Sequence, residues 1–436
     1  DLVSVLKGET NHISKSYWKS VKKQLNLTYY KPLSDWCRNH DIYLMGHPDE
    51  SDDVEELTYF SIPGQDLIFR MVEPNEPQFI NQNQVLGKCP ADLSRHLNRR
   101  RNSNEFLGVC HRKDHSWHLP AGDIKWYIDW LSVRGVNLLI PHAFYYSLRG
   151  ERKNERPPDV GPHSILWPHY QKFVTYMKRL SFLTTDTKNY AQVAVLCQSQ
   201  DVPFTEIKSF EENQIEYNYV ARFLVKNQEG KSGSTLNISN YSYPYYLSSQ
   251  NETYPGQQIT SISHIRNRHF IASNFYPNLR LIHLDKDGFE YYLFTNEGEE
   301  SLDVAAKIKN SQNKEGLFID LWRGEIKTSP KFNRVENDYY SKVNFTINRR
   351  ESLLLILIDS HEYTRILSNL DLRTEVQTNP IKVDFKLIHD DSCSFIKTYE
   401  AFLHCDTSEN TDLCLEINGR EMLELYVNNQ LVDVSF

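Results

Sequence analysis

The chain has 436 residues, a formal net charge of −8 and 39% hydrophobic residues. This length can bury two or three separate cores, and the acidic balance gives no electrostatic footprint for a nucleic acid or membrane partner. No run reaches the roughly 18 apolar residues that a membrane span needs. The seven cysteines are odd in number and scattered, which predicts reduced thiols and a cytoplasmic location.

In the first 200 residues, helix and strand patterns alternate. Amphipathic periodicity predicts helices over residues 17–39, 90–98, 123–133 and 165–183. Short apolar runs predict strands over residues 42–45, 66–72, 106–109 and 136–140. This alternation is typical of parallel βαβ units, and a closed (β/α)8 barrel needs roughly 250 residues. We therefore expect residues 1–200 to form the second half of a TIM-type barrel, completed by a segment before Asp1 or by a second copy of the chain in a homo-oligomer.

The rest of the chain changes character, so the predicted fold class is multidomain α/β plus all-β. Residues 201–260 are expected to form an irregular α/β connection that is loop-like from residue 229 to 258. From about residue 261 the apolar period becomes two, which predicts one β-sandwich over 261–365 and a second, jelly-roll-like and truncated, over 366–436. Three glutamates around the Gly298 turn, Glu297, Glu299 and Glu300, are expected to be solvated.

Polar side chains lie at the ends of three predicted barrel strands. His47 follows the strand predicted over 42–45, Glu105 adjoins the one over 106–109 and His142 follows the one over 136–140. Barrel enzymes carry their active site at the carboxyl ends of the strands, so these three side chains predict an active site. Glu105 is the candidate catalytic residue, since a charge beside a buried strand is costly unless it faces a polar site. The alternative is a surface glutamate that pairs with the arginine run 99–101.

Further residues are candidates for substrate contact, and each has a structural alternative. His47 could equally be a buried structural histidine. Glu50 could belong to a solvated acidic helix start, whereas Asp66 and Arg70 could form a fixed ion pair. One ring of the Tyr145–Tyr146 pair is expected to stack on a sugar beside His142 and the other to pack in the core. The predicted substrate-binding set is therefore His47, Glu50, Asp66, Arg70, His142, Tyr145 and Tyr146.

Two rival chemistries have weak motifs. His111, His115 and His118 have the spacing of zinc ligands, but weak helix character and Pro120 favour a polar loop with incidental histidines. The stretch 230–232, Gly-Lys-Ser, lacks the upstream glycine of a phosphate-binding loop. We therefore expect no cofactor and no catalytic metal, and a structural divalent ion such as calcium is left open.

Several stretches resemble the catalytic barrel of large multidomain bacterial glycoside hydrolases of the α-L-rhamnosidase-like and β-galactosidase-like groups. The stretches are PLSDWCRNHDIYLMGHPDE, NSNEFLGV, DWLSVRGVNLLIPHAFYYS and WPHYQKFVTYMKRLSFL. Downstream, YYLFTNEGEESLDV, LFIDLWRGEI and MLELYVNNQLVDV are similar to the β-sandwiches that follow such barrels.

The resemblance implies a glycosidase that cleaves a plant or bacterial glycan with two carboxyl groups. Glu105 would then act as nucleophile or base. In related barrels the general acid commonly lies on an earlier strand, which this sequence does not contain. The alternative is a non-catalytic carbohydrate-binding or scaffold protein built on a degenerate barrel.

Overall fold

The structure is a computed structural model, and it divides the chain into two compact units. The first unit comprises Asp1–Tyr363 and Glu421–Phe436, and the second comprises Thr364–Arg420. The structure describes residues 11–50, 52–74, 82–111, 119–142, 144–145, 147–151, 160–310, 312, 314–327, 330–334, 339–369, 384–391, 396–402, 423–428 and 430–435.

The first parallel sheet contains four strands in the order in which they follow along the chain. These are β1 (Met45–Gly46), β2 (Ile62–Leu67), β3 (Ser103–Phe106) and β4 (Leu138–Pro141). Each strand pairs in parallel with the next, as neighbouring strands of a (β/α) barrel do. Among the described residues, β1 and β4 are the edges of this sheet, so it is an open arc rather than a closed barrel.

The helices lie between these strands, close to the predicted positions. Those of the first 200 residues are Asn11–Leu25, Lys31–Asn39, Lys88–His96, Ala121–Val133 and Tyr170–Thr184. A π-helical turn, Asn26–Tyr30, interrupts the predicted helix 17–39 just before Pro32, which cannot donate a backbone hydrogen bond. Short 3-10 segments cover Glu56–Tyr59, Gln82–Val85 and Trp167–His169.

A second parallel sheet combines one strand from the end of the predicted barrel half, residues 1–200, with three strands from residues 201–260, which were predicted to be an irregular α/β connection. Its strands run in the order β11 (Gln257–Gln258), β10 (Tyr245–Leu247), β6 (Val193–Cys197) and β7 (Tyr217–Ala221). Two short helices, two 3-10 segments and a hairpin lie between its strands or beside them. The helices are Lys208–Glu212 and Arg222–Val225, and the 3-10 segments are Lys226–Gln228 and Ile262–His264. The hairpin pairs β8 (Leu236–Ile238) with β9 (Tyr241–Tyr243). Helix Lys88–His96 contributes to the core of this sheet.

The β6–β10 junction is the point where the strand order of the second sheet reverses. Open α/β sheets bind ligands at the carboxyl ends of the strands at such a point. Here the loop after β1 occupies it. The Ser199 backbone N–H donates to Glu55 at 2.7 Å, and its hydroxyl donates to Glu56 at 3.0 Å. The second sheet therefore holds the loop that follows His47.

Two antiparallel sheets follow and share one hydrophobic core. The four-stranded sheet has the order β12 (Phe270–Ala272), β15 (Leu302–Lys309), β19 (Tyr340–Ile347) and β18 (Lys331–Asn333). The six-stranded sheet has the order β17 (Glu325–Lys327), β16 (Glu315–Asp320), β20 (Ser352–Ile358), β14 (Phe289–Asn296), β13 (Leu279–Lys286) and β5 (Lys188–Asn189).

The six-stranded sheet is buried on both faces. Phe294 and Leu355 face the four-stranded sheet, whereas Leu293 and Leu354 pack with helices Ala121–Val133 and Tyr170–Thr184. This explains why β14 and β20 read as nearly continuous apolar runs instead of alternating ones.

The remaining strands form two separate two-stranded hairpins. In the first unit β23 (Leu423–Val427) pairs with β24 (Gln430–Ser435), and in the second unit β21 (Lys386–Asp391) pairs with β22 (Ile396–Glu400). Helix Ser360–Asn369 spans the boundary of the two units. Residues 413–417, whose apolar pattern predicts a strand within the second sandwich, lie outside the described residues. No described helix is both long and apolar enough to cross a membrane.

Candidate functional site

Strand register places two carboxylates side by side. On β2, Asp66 is the register partner of Glu105 on β3, and Glu105 is in turn the partner of Ile140 on β4. Residues at the same register of neighbouring parallel strands project from the same face of the sheet. Both carboxyl groups are partly exposed, with 22% of the Asp66 side chain and 37% of the Glu105 side chain accessible.

The His47 ring lies near both carboxyl groups. Its Nε2 lies 3.7 Å from Asp66 Oδ2 and 3.7 Å from Glu105 Oε2, so these two oxygens are at most twice 3.7 Å apart. The other ring nitrogen, Nδ1, lies 3.0 Å from the Pro48 carbonyl oxygen and donates to it. Because Nδ1 is the donor, Nε2 is the ring atom that faces both carboxyl groups, at a distance beyond a direct hydrogen bond.

His142 lies on the other side of Glu105. Its Nε2 is 3.9 Å from Glu105 Oε1, and its backbone N–H donates to Phe106 at 2.7 Å. Leu107 and Val109, which follow the catalytic candidate, both have positive φ, at 65° and 55°. Such a backbone is costly for a β-branched residue, and strain of this kind concentrates at functional sites.

Gly108 leaves the space in which the His142 ring sits. A Cβ atom at position 108 would lie 2.4 Å from His142 Cγ. We expect Gly108→Ala to displace the imidazole and to lower the free energy of unfolding by about 1–3 kcal/mol through overpacking. Urea denaturation and the NMR signals of the His142 ring measure both effects. Gly122→Ala is the control, since its nearest neighbour would be 3.6 Å away; an unmoved His142 ring in Gly108→Ala would contradict the prediction.

The surroundings of Asp66 raise its proton affinity. Burial raises the pKa of Asp66; His47 opposes this shift, and the negative charge of Glu105 adds to it. Asp66 therefore keeps its proton to a higher pH than an ordinary aspartic acid does. A protonated carboxyl beside a second carboxyl and two imidazoles can donate a proton to a leaving group while its neighbour acts as base or nucleophile.

Exposed aromatic rings follow β4 along the chain. Phe144, two residues after His142, is 48% exposed and meets the ring of Trp167 edge-on at 5.4 Å. Trp167 is 38% exposed and stacks on Tyr170, also at 5.4 Å. Tyr145 is half-buried, and Tyr146 lies outside the described residues. The sequence did not distinguish Phe144, because it stands beside Tyr145 and Tyr146 and the pattern does not show which of neighbouring aromatic rings is exposed to solvent.

Glu50 and Arg70 are positioned by other partners. Glu50 is exposed on the loop after β1, and its backbone oxygen accepts a hydrogen bond from Gln65 at 3.5 Å. Arg70 pairs with Glu73 at 2.7 Å and with Asp123 at 2.9 Å instead of with Asp66. The guanidinium thus ties the end of β2 to helix Ala121–Val133. The substrate contacts predicted for Glu50 and Arg70 stay predictions.

The arginine run 99–101 is engaged away from Glu105. Arg99 donates to the carbonyl of Thr58 at 2.6 Å, Arg100 pairs with Asp186 at 3.0 Å and Arg101 donates to Asn137 at 3.0 Å. A cavity of about 440 Å³ lies in this region, beside the residues that precede β3 and β4. It is at the amino-terminal edge of the sheet, where barrel proteins place stabilising rather than catalytic residues. Of the three histidines with zinc-like spacing, His115 and His118 lie outside the described residues.

Comparisons with known proteins identify relatives by fold and not by sequence. No protein-family model and no curated protein matches the sequence. The structure of a rhamnosidase from Novosphingobium sp. PP1Y matches 76% of this chain with a TM-score of 0.59 and 13% sequence identity.

Two further matches are weaker. A β-galactosidase from Bacillus circulans sp. alkalophilus covers 70% of this chain and 61% of its own at 10% identity, with a TM-score of 0.38. An α-L-fucosidase from Paenibacillus thiaminolyticus covers 72% and 67% at 7% identity, with a TM-score of 0.41. TM-scores this low do not establish a shared fold. The chain spans 38% of the length of the rhamnosidase, and over that part its fold is similar to that of this glycoside hydrolase.

Proposed function

We propose that the protein is a glycoside hydrolase in which Asp66 and Glu105 are the paired catalytic carboxyl groups. The observation that carries the proposal is their position as register partners on adjacent parallel strands, within reach of the same His47 nitrogen. Glycosidic bond cleavage needs one carboxylic acid and one carboxylate that flank the scissile bond. Two oxygens no more than twice 3.7 Å apart can flank a single glycosidic oxygen and its anomeric carbon.

The environments of the two groups suggest their roles. The raised pKa of Asp66 suits the general acid, which must hold a proton before the bond breaks. Glu105, the more exposed group, is then the base or nucleophile, and His142 on its other side orients it. This assignment supplies the acid from β2, without the earlier strand from which related barrels commonly take it.

The substrate is proposed to be a plant or bacterial glycan. Pyranose rings present apolar C–H faces that pack on aromatic rings, and the exposed rings of Phe144 and Trp167 lie where the polypeptide leaves β4. The fold similarity to a rhamnosidase supports a deoxy or neutral sugar as the first one to test.

A panel of nitrophenyl glycosides, with α-L-rhamnoside, β-D-galactoside and α-L-fucoside included, tests the proposal. We expect hydrolysis of at least one glycoside by the wild type and a loss of at least 10³-fold in kcat for Glu105→Gln, which keeps the size of the side chain. Glu300→Gln, an exposed glutamate on the turn after β14, is the control. Equal rates for the wild type and Glu105→Gln would refute the assignment.

The competing function is sugar binding without catalysis. It would be favoured if no glycoside in the panel is cleaved while a glycan array shows binding that Phe144→Ala abolishes. In that case the Asp66–Glu105 pair would act only as a hydrogen-bonding group for sugar hydroxyls.

A further inference from the structure

A second cluster of polar side chains lies far along the chain from this site, where three sheets meet. Glu216 immediately precedes β7, His269 immediately precedes β12 and His283 lies within β13. One ligand atom from each of the three side chains lies within 4.8 Å of the others. The cluster therefore joins the second parallel sheet, the four-stranded sheet and the six-stranded sheet.

His283 lacks a partner for one of its nitrogens. Its side chain is 1% exposed, and Nδ1 makes no hydrogen bond in the described part of the chain. The nearest carboxylate oxygen, Glu216 Oε2, is 3.7 Å away, beyond hydrogen-bonding distance. A buried polar atom without a partner costs about 1–3 kcal/mol, so this nitrogen points to a ligand.

The other nitrogen of His283 is held as in a metal site. Nε2 lies 2.9 Å from Glu290 Oε1, and Lys314 lies 4.0 Å from the other oxygen of that carboxylate. The rings of Tyr190 and Tyr292 stack on the two faces of the imidazole, with centroids 4.1 and 3.9 Å away. Metal-binding histidines usually donate their second N–H to a carboxylate or a carbonyl, which fixes the tautomer and the ring orientation.

The remaining two side chains fit the same arrangement. The ring of His269 is held by Tyr190, which meets it edge-on with ring centroids 5.5 Å apart. Glu216 accepts a hydrogen bond from the backbone N–H of His283 at 2.7 Å through one oxygen, which leaves the other oxygen available. Burial raises the pKa of Glu216 to about 8, as expected for a carboxyl group short of positive charge. Glu216 also borders a cavity of about 30 Å³, which is large enough for an ordered water.

We propose that Glu216, His269 and His283 bind one zinc ion that joins the second parallel sheet to the two antiparallel sheets. Two imidazole nitrogens and one carboxylate oxygen are a zinc ligand set, with water in the fourth position, whereas calcium requires oxygen ligands throughout. In a tetrahedral site the ligand atoms are roughly 3.4 Å apart, so side-chain shifts of about 1 Å close the observed cluster. This proposal is independent of the glycosidase assignment.

Zinc stoichiometry and affinity test the proposal. Protein purified without a histidine tag is stripped with a chelator, dialysed against zinc and assayed by mass spectrometry for bound metal. Competition with a chromophoric chelator then gives the affinity. We expect one equivalent per chain in the wild type, and an affinity at least tenfold lower for Glu216→Gln, which preserves shape. Glu290→Gln is expected to lower the affinity 10- to 100-fold, although Glu290 is not a ligand.

The controls separate this site from other metal-binding groups. His163→Ala removes an exposed histidine, and Glu105→Gln removes a carboxylate beside two other imidazoles; both variants should keep the full equivalent of zinc. Cobalt in place of zinc should give a tetrahedral visible spectrum without thiolate charge-transfer bands. A wild type without stoichiometric zinc would overturn the proposal, as would Glu216→Gln with wild-type affinity or zinc lost from Glu105→Gln. The cluster would then be a buried Glu–His group that shares a proton.

Discussion

Asp66→Asn is expected to lower kcat/KM for a glycoside with a poor leaving group by about 10²- to 10⁴-fold. This is the usual contribution of a positioned general acid. Asparagine keeps the size and one acceptor oxygen of Asp66, but it cannot release a proton to the departing alcohol. The loss should appear mainly in kcat, because the contacts of the bound sugar are preserved.

The leaving group distinguishes an acid from a binding residue. A dinitrophenolate leaves without protonation, whereas a methyl or sugar alcohol does not. We therefore expect Asp66→Asn to cleave a dinitrophenyl glycoside at nearly the wild-type rate and a methyl glycoside far more slowly. Asp49→Asn, an exposed aspartate on the loop after β1, is the matched control and should cleave both substrates normally.

The pH profile gives an independent measurement. A general acid works only while protonated, so kcat/KM falls as pH rises through the pKa of Asp66. Because burial raises this pKa above the ordinary value of 3.8, the descending limb should lie at a higher pH than an unperturbed aspartate would give. Asp66→Asn should abolish this limb. Equal losses on both leaving groups, with the limb retained, would show that Asp66 binds substrate and that another group is the acid.

Local pattern predicted the elements of the fold well. The helix predicted over residues 123–133 is observed at Ala121–Val133, and the Asp-Gly pair at 287–288, a dipeptide typical of tight turns, forms the turn of the hairpin β13–β14. Asp287 and Gly288 at its turn have φ of 53° and 84°, as a tight hairpin turn requires. These features depend on residues close in sequence, so the sequence alone carries the information.

Strands β7 and β10 of the second parallel sheet were not predicted, because the sequence pattern counts their many tyrosines as polar residues. The segment from residue 229 to 258 was predicted to be loop-like, yet it supplies β8 to β11. Tyr243 is fully buried, and its hydroxyl is satisfied by His96 at 2.8 Å and by the Asn218 side chain at 2.8 Å. A tyrosine whose hydroxyl finds a partner packs as an aromatic core residue, and the partner comes from a distant segment that the local pattern does not reveal.

The same limit applies to the candidate site. His47, Glu105 and His142 could be found from their places beside predicted strands. Asp66 was predicted only as a substrate contact, because its strand was predicted over residues 66–72 and is observed at Ile62–Leu67. That Asp66 lies beside Glu105 depends on the register of β2 against β3, which the sequence does not specify to one residue. Glu216, His269 and His283 come from three segments and have no motif spacing at all.

Glu297 shows the largest difference between expectation and structure. It was expected to be solvated beside Gly298, but it is 5% exposed and lies between two buried arginines. Arg134 donates to it at 2.5 Å, and Arg280 pairs with it at 3.1 Å. Arg280 also pairs with Glu211 at 3.2 Å. Glu299 is likewise paired, with Arg349 and Arg350, and only Glu300 of the three is exposed.

Glu297→Ala is therefore expected to lower the free energy of unfolding by about 3–5 kcal/mol. Removing one member of a buried ion pair leaves the other charge without compensation. The side chains of Arg134 and Arg280 are 3% and 2% exposed, so water cannot replace the lost carboxylate without opening the interface between helix Ala121–Val133 and the six-stranded sheet. Chemical denaturation monitored by tryptophan fluorescence measures the change, with Trp130 as a reporter because Arg134 lies 3.8 Å from its ring centroid.

Glu300→Gln is the matched control from the same turn, and its effect should stay within about 0.5 kcal/mol because its side chain is exposed. A double variant separates lost attraction from uncompensated charge. Arg280 keeps Glu211 as a partner in Glu297→Ala, whereas Arg134 loses the carboxylate that it pairs with. Replacing Arg134 by Met in this background removes the uncompensated cation, so it should recover part of the lost stability although it deletes a further polar contact. If the double variant is less stable than Glu297→Ala by the full cost of Arg134→Met alone, the two side chains act independently and the network does not set the stability of this interface.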